Sequence, residues 1–430
     1  MQRREFVQRA AAGTVALGLG RLGRSEEKAG RPVRVGFVGV GNRGSGLLRT
    51  LLQVPGIVVP AVCDLIPARA SAAERLVVRA GRGKPAIYAK DEMAWTKLLA
   101  RGDLDAVIIA TPWNWHAAMA TAAMEHGIYP GVEVPAALSV EECWQLVDTS
   151  EKTGVPCMML ENWSFRRDNL ALLQMVRRGL FGQVVHVHCA HCHDCIDHWF
   201  FDRATGNDRW AAEFLVKYNR DQYPTHGLGP VLSWMDINCG DRFETIASTA
   251  TDSFGINAYL ARKFGADHPG AKRKYAQGDI VTSVLRTAKG KTVVINYDMQ
   301  LPRPYDNRWM LQGTLGVYNE QRNAVYLVDR SPKYHQWEPF KPYMAKYNHP
   351  WYQDGGGFGG HGGTDGLEIR LLVDAVRRNK PTPIDVYDSV VMSAIVGLSG
   401  TSIARGGVPV EFPDFTRGRW QNRKPYFGVV

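Results

Sequence analysis

The stretch that most constrains the fold runs from Val33 to Leu51. Strand-type apolar residues (Val33, Val35, Phe37, Val38) end in the turn Gly39-Val-Gly-Asn-Arg-Gly44, and Leu47, Leu48 and Leu51 follow at helical spacing. Strand, glycine turn and helix form the phosphate-binding unit of a doubly wound parallel sheet. In such a unit Gly39 permits the tight turn, Gly41 lets the backbone approach a pyrophosphate, and Gly44 lets the helix pack against the strand. Asn42 and Arg43 open the helix, whose free N–H groups face the phosphates. A second apolar strand, Gly56 to Cys63, ends in Asp64, 20 residues beyond Gly44. A carboxylate there accepts hydrogen bonds from both ribose hydroxyls and repels a 2′-phosphate, so the expected cofactor is NAD rather than NADP.

The alternation of strand and helix continues to residue 160. A helix is predicted over 66–82, a strand over 86–88, a helix over 93–100 and a buried strand over 104–112. Thr111-Pro-Trp-Asn-Trp-His116 then lies on the ligand side of the sheet, which makes Trp113, Asn114 and His116 candidates for the cofactor rim. The alternative is that the tryptophans pack in the core. After a helix over 117–126, Glu133 follows a short strand. Ser139-Val-Glu-Glu142 is a capping box opening the next helix. The last strand, 155–160, ends in Glu161-Asn162. Residues 32–161 thus read as an NAD-binding Rossmann domain.

Beyond it the period changes. A helix over 170–178, a strand over 184–192, a long polar-aromatic loop over 193–225 and a helix over 230–237 are expected. Strand-like runs follow at 245–250, 280–287, 292–298, 310–314 and 325–328. Strands with few helices between them predict a largely antiparallel sheet, so 162–430 reads as an α+β substrate-binding domain. The fold class is therefore α/β in the first domain and α+β in the second.

A chain of 430 residues has room for two cores, and 45% hydrophobic with 22% charged residues is a globular composition. The net charge of +10 is spread along the chain without the aromatic-basic pattern of a nucleic-acid module, so no nucleic-acid partner is expected. At the N-terminus, Arg3-Arg4-Glu5-Phe6 precedes the weakly apolar run Ala10 to Gly20, too short and glycine-rich for a membrane span. It resembles a twin-arginine export signal, which implies a signal and linker over 1–31 and a periplasmic or extracytoplasmic location. Seven cysteines form no obvious disulfide framework. Cys189, Cys192 and Cys195 have C-x-x-C-x-x-C spacing among several histidines. No second ligand pair exists, however, and a strand points successive residues to opposite faces, so no metal is expected.

The dinucleotide unit, Thr111-Pro…His116 and Glu133-Val-Pro135 together resemble the Gfo/Idh/MocA oxidoreductase family. That family commonly carries Glu-Lys-Pro at the last position, with the lysine close to the substrate; Val134 replaces it here. The family's Asp-x-x-x-His pair is also absent, and the corresponding stretch is Thr225-His226-Gly-Leu-Gly-Pro230. These departures match one branch. Gly131-Val-Glu-Val-Pro-Ala-Ala137, Glu141-Glu-Cys-Trp-Gln-Leu146, Cys157-Met-Met-Leu-Glu-Asn162, Tyr223-Pro-Thr-His-Gly-Leu-Gly-Pro230, Leu301-Pro-Arg-Pro-Tyr305 and Gly359-Gly-His-Gly-Gly-Thr-Asp365 resemble glycoside hydrolase family 109, the NAD-dependent N-acetylgalactosaminidases. Where that branch has Tyr-Arg-Arg after Glu-Asn, this chain has Ser164-Phe165-Arg166-Arg167.

The resemblance implies retaining cleavage of N-acetylgalactosaminides, in the alpha configuration, by transient C3 oxidation, elimination, water addition and re-reduction. Such chemistry needs a base at the C3 hydroxyl, a base at C2 and a proton donor for the leaving group. His226 is the candidate base and Tyr305 the candidate proton carrier or sugar donor, since imidazole titrates near neutrality and a phenol can donate. Glu133 and Asn162 join the cofactor set. Arg166, Tyr223, His226, Tyr305 and His361 form the substrate set, with Arg166 and Arg167 either gripping an acetamido group or pairing with surface carboxylates. The expected partner is a small-molecule or glycan substrate. Analogy with the family implies a homo-oligomer joined through the open face of the second sheet. The alternatives are an exported NAD(P)-dependent sugar oxidoreductase and a non-enzymatic sugar-binding or NAD-sensing protein.

Overall fold

A computed structural model describes residues 30–353 and 356–429, so the expected signal, up to residue 29, lies outside the described residues. The first sheet holds seven parallel strands: β1 (Val33–Val38), β2 (Ile57–Val58), β3 (Ala61–Asp64), β4 (Ala86–Ala89), β5 (Ala106–Ile109), β6 (Tyr129–Val132) and β7 (Met158–Met159). Their order is β4-β3-β1-β5-β6-β7, with β2 beside β1. Strands β3, β5, β6 and β7 are buried along their whole length, as a parallel sheet covered by helices on both faces requires. The chain runs from β1 to β3 on one side and later to β5 on the other. The carboxyl ends of β1 and β5 therefore flank the switch-point crevice where such sheets bind ligands.

The second sheet has nine strands: β8 (Val184–Cys192), β9 (Phe243–Ala250), β10 (Val281–Thr287), β11 (Thr292–Asp298), β12 (Met310–Gly313), β13 (Gly316–Asn319), β14 (Ala324–Leu327), β15 (Glu338–Pro339) and β16 (Val410–Glu411). All neighbours are antiparallel except β8 and β11. The predicted mixture of a doubly wound sheet and a largely antiparallel one is what the chain forms. β13, β15 and β16 were not anticipated; the last two have only two residues each, too short for a periodic signal.

The helices Gly255–Phe264, Pro269–Lys272, Lys341–Lys346, Thr364–Arg378 and Val386–Ala404 were also not anticipated. Val386–Ala404 is long and apolar enough to cross a membrane, but 72% of its most apolar window is buried between β9 and the helix Val140–Thr153. Its serines show why it is a core helix. Ser389 Oγ accepts from the Met159 N–H, Ser393 Oγ from the Ala136 N–H and Ser402 Oγ from the Ser248 N–H. One helix thereby satisfies buried backbone donors of both sheets, which would otherwise be left unpaired.

Two expectations need correction. The stretch 193–225 is not all loop, because it holds a helical turn at Ile196–Phe200 and the helix Ala212–Lys217. The next helix is Thr225–Met235 rather than 230–237, so His226 sits in its first turn, with Pro230 inside the helix. The glycines of this helix serve close packing. A Cβ on Gly227 would stand 2.9 Å from the Ala190 backbone, and one on Gly229 would stand 1.9 Å from Glu161 Oε2.

Candidate active site

The site lies where the carboxyl ends of the first sheet meet β8 and the helix Thr225–Met235. Glu161 stands two residues beyond the end of β7 and is fully buried, with 0% exposure. Its carboxylate accepts four hydrogen bonds: from Trp163 N (3.1 Å), Ser164 N (2.8 Å), Ser164 Oγ (2.5 Å) and His226 Nδ1 (2.8 Å). A carboxylate only accepts, so the His226 Nδ1 carries hydrogen and Nε2 is left as the acceptor. Nε2 stands 3.4 Å from the Tyr223 hydroxyl. This is the orienting pair expected of a general base.

Aromatic rings surround His226. Trp163 lies 5.9 Å from it, 5.6 Å from Tyr305 and 5.8 Å from His361. His191 lies 5.3 Å from His226, 4.9 Å from Tyr223 and 5.5 Å from Tyr305. Tyr305 keeps 37% of its surface exposed, while enclosure of its phenol and the charge of Glu161 hold its pKa above the ordinary value. It is a neutral donor at physiological pH. Burial likewise raises Tyr223. The candidates His226, Tyr223, Tyr305 and His361 thus come together, from three separate stretches of chain.

A second constellation joins the glycine turn to the C-terminal helices. Arg43 donates to Glu133 Oε1 (2.5 Å) and to Asp365 Oδ2 (2.7 Å), and its Nη1 stands 3.2 Å from His361 Nδ1. Asn162 Nδ2 donates to the same Asp365 at 2.9 Å. Burial works against the Arg43 charge, but Glu133 and Asp365 outweigh it and raise its pKa. Burial also opposes the Asp365 charge, yet His361 and Arg43 hold its carboxyl below the carboxylate range. His361, Gly362 and Gly363 all have positive φ, a tight left-handed run that folds the imidazole back onto Asp365. Beneath them Glu368 is buried with neither oxygen partnered among the described residues, and burial, with Asp365 beside it, pushes its pKa well up.

The glycine turn fits a dinucleotide. A Cβ on Gly39 would meet Ala110 O at 2.4 Å, and one on Gly44 would meet Gly39 O at 2.0 Å, whereas one on Gly41 would find nothing closer than Arg69 at 3.5 Å. Turn and helix are pressed together while the Gly41 side stays open. The helix Asn42–Leu51 has no side-chain cap and no acid in its first turn, so its positive end is free for phosphate. Asp64 accepts from the Val40 and Ile66 N–H groups, both at 2.9 Å, one to each carboxylate oxygen, which leaves further lone pairs for a ribose. The buried Asn162 Oδ1, on the side chain whose Nδ2 bonds Asp365, has no partner among the described residues.

Three expected contributors are placed elsewhere. Both ring nitrogens of His116 meet backbone carbonyls, Thr111 O and Pro135 O at 2.8 Å each, so the side chain is a staple with no free polar atom. Trp113, 3% exposed, packs against Trp199, Trp210, Phe214 and Tyr223 as an inter-domain wedge rather than a rim. Arg166 is held by Asp168 and Glu320 and lies over the rings of Trp163 and Trp309, the carboxylate pairing that was the alternative to a sugar grip. Asn114 is half-buried on the turn after β5. The sequence reading missed Glu161 and Trp163 as site residues. The signal available was position, since a carboxylate just beyond a parallel strand faces the ligand crevice.

Residues 165–422 match the family model described as the glycosyl hydrolase 109 C-terminal domain, and residues 33–161 match the oxidoreductase family with an NAD-binding Rossmann fold. The chain is 43% identical over 407 residues to a glycosyl hydrolase family 109 protein of Shewanella pealeana, covering 93% of this chain and 88% of that one. The chain belongs to glycosyl hydrolase family 109. It is a glycosidase with an NAD-binding fold, and NAD is its cofactor. Another relative of this family 109 member is the alpha-N-acetylgalactosaminidase of Tannerella forsythia, 41% identical over 92% of this chain and 89% of that one. In fold it is similar to levoglucosan dehydrogenase in complex with NADH and L-sorbose, with a TM-score of 0.69 at 18% identity, over 89% of this chain and 100% of that one.

Proposed function

We propose that this family 109 glycosidase cleaves alpha-N-acetylgalactosaminides with retention, by transient oxidation at C3, elimination, water addition and re-reduction. The observation that carries the reading is the His226–Glu161 pair, set among Trp163, Tyr223 and Tyr305 beside the switch-point crevice. Bound NAD supplies a hydride acceptor that is returned to its starting state within each turnover. Glu161 fixes the His226 tautomer, leaving Nε2 to take the proton of a sugar hydroxyl. Tyr305, kept neutral by its enclosure, donates to the sugar or to the departing oxygen. The relative from Tannerella forsythia supports the choice of sugar.

The same reading includes export through the Arg3-Arg4 segment, with the cofactor already in place, and a homo-oligomer joined through the second sheet. Val284 is exposed on β10, and its register partners across the sheet, Val294, His188 and Met310, are only partly covered, which supports that face.

Purified protein, without added NAD, is incubated in D₂O with aryl N-acetylhexosaminides and the released sugar is read by NMR. Deuterium at C2 of released N-acetylgalactosamine is the expected result. Release without deuterium removes the elimination route. No release, with electrons instead exchanged between two sugars, favours the oxidoreductase alternative.

A further inference from the structure

We propose that His191, His193 and Cys195 form a zinc site in the wall of the cleft beside His226 and Tyr305. The spacing that first suggests a metal, Cys189, Cys192 and Cys195, is not the set that converges. One ligand atom from each of His191, His193 and Cys195 does, all within 4.8 Å of one another. His191 and His193 are two apart at the extended end of β8 and share a face, and Cys195, at the start of the helical turn Ile196–Phe200, closes the set. The backbone is pinned on the way, because Cys192 N bonds Asp306 O, His193 N bonds Asp298 O and Cys195 N bonds Met299 O. The three side chains therefore project from a backbone tied to β11 and the segments that follow it.

A second observation points to a ligand. His191 is 2% exposed, and neither of its ring nitrogens has a hydrogen-bond partner among the described residues. An imidazole carries a donor and an acceptor, and leaving either unpaired in the interior is destabilising. Its ring neighbours are His193, Tyr223, His226 and Tyr305, yet none of them bonds it. A metal ion would use one of these nitrogens.

The donor set selects a soft transition ion, and the test is made with zinc. Two imidazoles and a thiolate suit zinc, whereas magnesium and calcium demand oxygen ligands. Bond lengths of about 2.0–2.3 Å separate tetrahedral ligand atoms by roughly 3.3–3.8 Å, so closure from the 4.8 Å limit needs movement of about 1 Å, within reach of small side-chain rotations. Coordination ionises the Cys195 thiol and releases its proton. Three protein ligands leave a fourth position open, the arrangement of zinc sites that take a water or a substrate oxygen. Tyr305, 4.8 Å from the His193 ring, and His226, 5.3 Å from the His191 ring, border that space. Zinc binding is measured without turnover, so this site and the glycosidase reading stand or fall separately.

The full chain, purified without a histidine tag and stripped with EDTA, is titrated with zinc by calorimetry and with cobalt(II) by absorption. One zinc per chain is expected, with a thiolate-to-cobalt charge-transfer band and tetrahedral visible bands. Cys195→Ser and His191→Phe should each weaken zinc binding by about 100-fold or more, and Cys195→Ser should abolish the charge-transfer band. His186→Phe, whose Nδ1 pairs with Thr292 at 2.9 Å elsewhere on β8, should leave both unchanged. Should a variant fail to fold, the cobalt spectrum of the unaltered chain still reports thiolate coordination. Absence of stoichiometric zinc, absence of the charge-transfer band, or equal zinc affinity in folded Cys195→Ser and His191→Phe would overturn the assignment.

Discussion

The Nδ1 atom of His226 stands 2.8 Å from Oε1 of Glu161, across 65 residues of chain. Glu161 leaves the carboxyl end of the first sheet, and His226 rides in the first turn of a helix laid on the second. The pair exists only because the two layers dock at Gly227 and Gly229, whose missing side chains bring that helix within contact of Ala190 and Glu161.

Glu161→Gln replaces one acceptor oxygen with a donor in a carboxylate that receives four hydrogen bonds. Glycoside cleavage should fall by about 100-fold or more in kcat, and His226→Ala should fall by a similar factor, while both proteins retain bound NAD. Steady-state kinetics and the nucleotide content after gel filtration test this. Unchanged kcat in His226→Ala would remove the base from the mechanism.

Gly229→Ala places a methyl group where Glu161 Oε2 and Ser164 Oγ lie, 1.9 and 2.6 Å from the new atom. Overpacking should cost about 1–3 kcal/mol, and the displaced carboxylate should lower kcat towards the Glu161→Gln value. Thermal unfolding and kinetics on one sample read both effects.

Arg43→Leu removes the cation shared by Glu133 and Asp365 at the cofactor turn. Two carboxylates are then left facing each other at about the depth of the site, with a stability loss of about 2–3 kcal/mol after allowance for partial exposure of the arginine. Bound NAD should be lost on gel filtration. Retention of stoichiometric NAD would show that the turn holds the cofactor without this latch.

Burial pushes the Asp221 carboxyl up to about 7, against roughly 3.9 in an unfolded chain. Between these values the folded protein keeps a proton that the unfolded chain has lost. Stability therefore falls as pH rises from about 4 to about 7 and is level above, by on the order of 4 kcal/mol in total. Asp221→Asn keeps the acceptor for the Tyr223 N–H and carries no charge. Its stability relative to the unaltered protein should grow across that window, as denaturant unfolding at pH 5 and pH 8 would reveal. An equal difference at both pH values would contradict it.

Much of the first domain was legible locally. Gly39 and Gly44 have the close contacts that their spacing implied, and Ser139 caps its helix by accepting from the Glu142 N–H. The helix around His226 was not, because a proline and two glycines are turn signals in isolation and become packing devices only against Ala190 and Glu161. For Arg166 the sequence left two roles open, a sugar grip or a carboxylate pairing, and Asp168 with the distant Glu320 supplies the pairing.

What the sequence determined by itself is what short-range periodicity and turn chemistry encode: the parallel Rossmann unit, the run of later strands, the glycine cradle with Asp64 for the dinucleotide, and motifs that share a family. Tertiary structure alone decided which side chains meet. Arg43 and Asp365 are 322 residues apart, and Glu161 and His226 are 65 apart. No local pattern carries such a pairing. It arises when burial of two sheets around a common set of helices brings distant charges into a low-dielectric space, where each must find a partner or lose its charge.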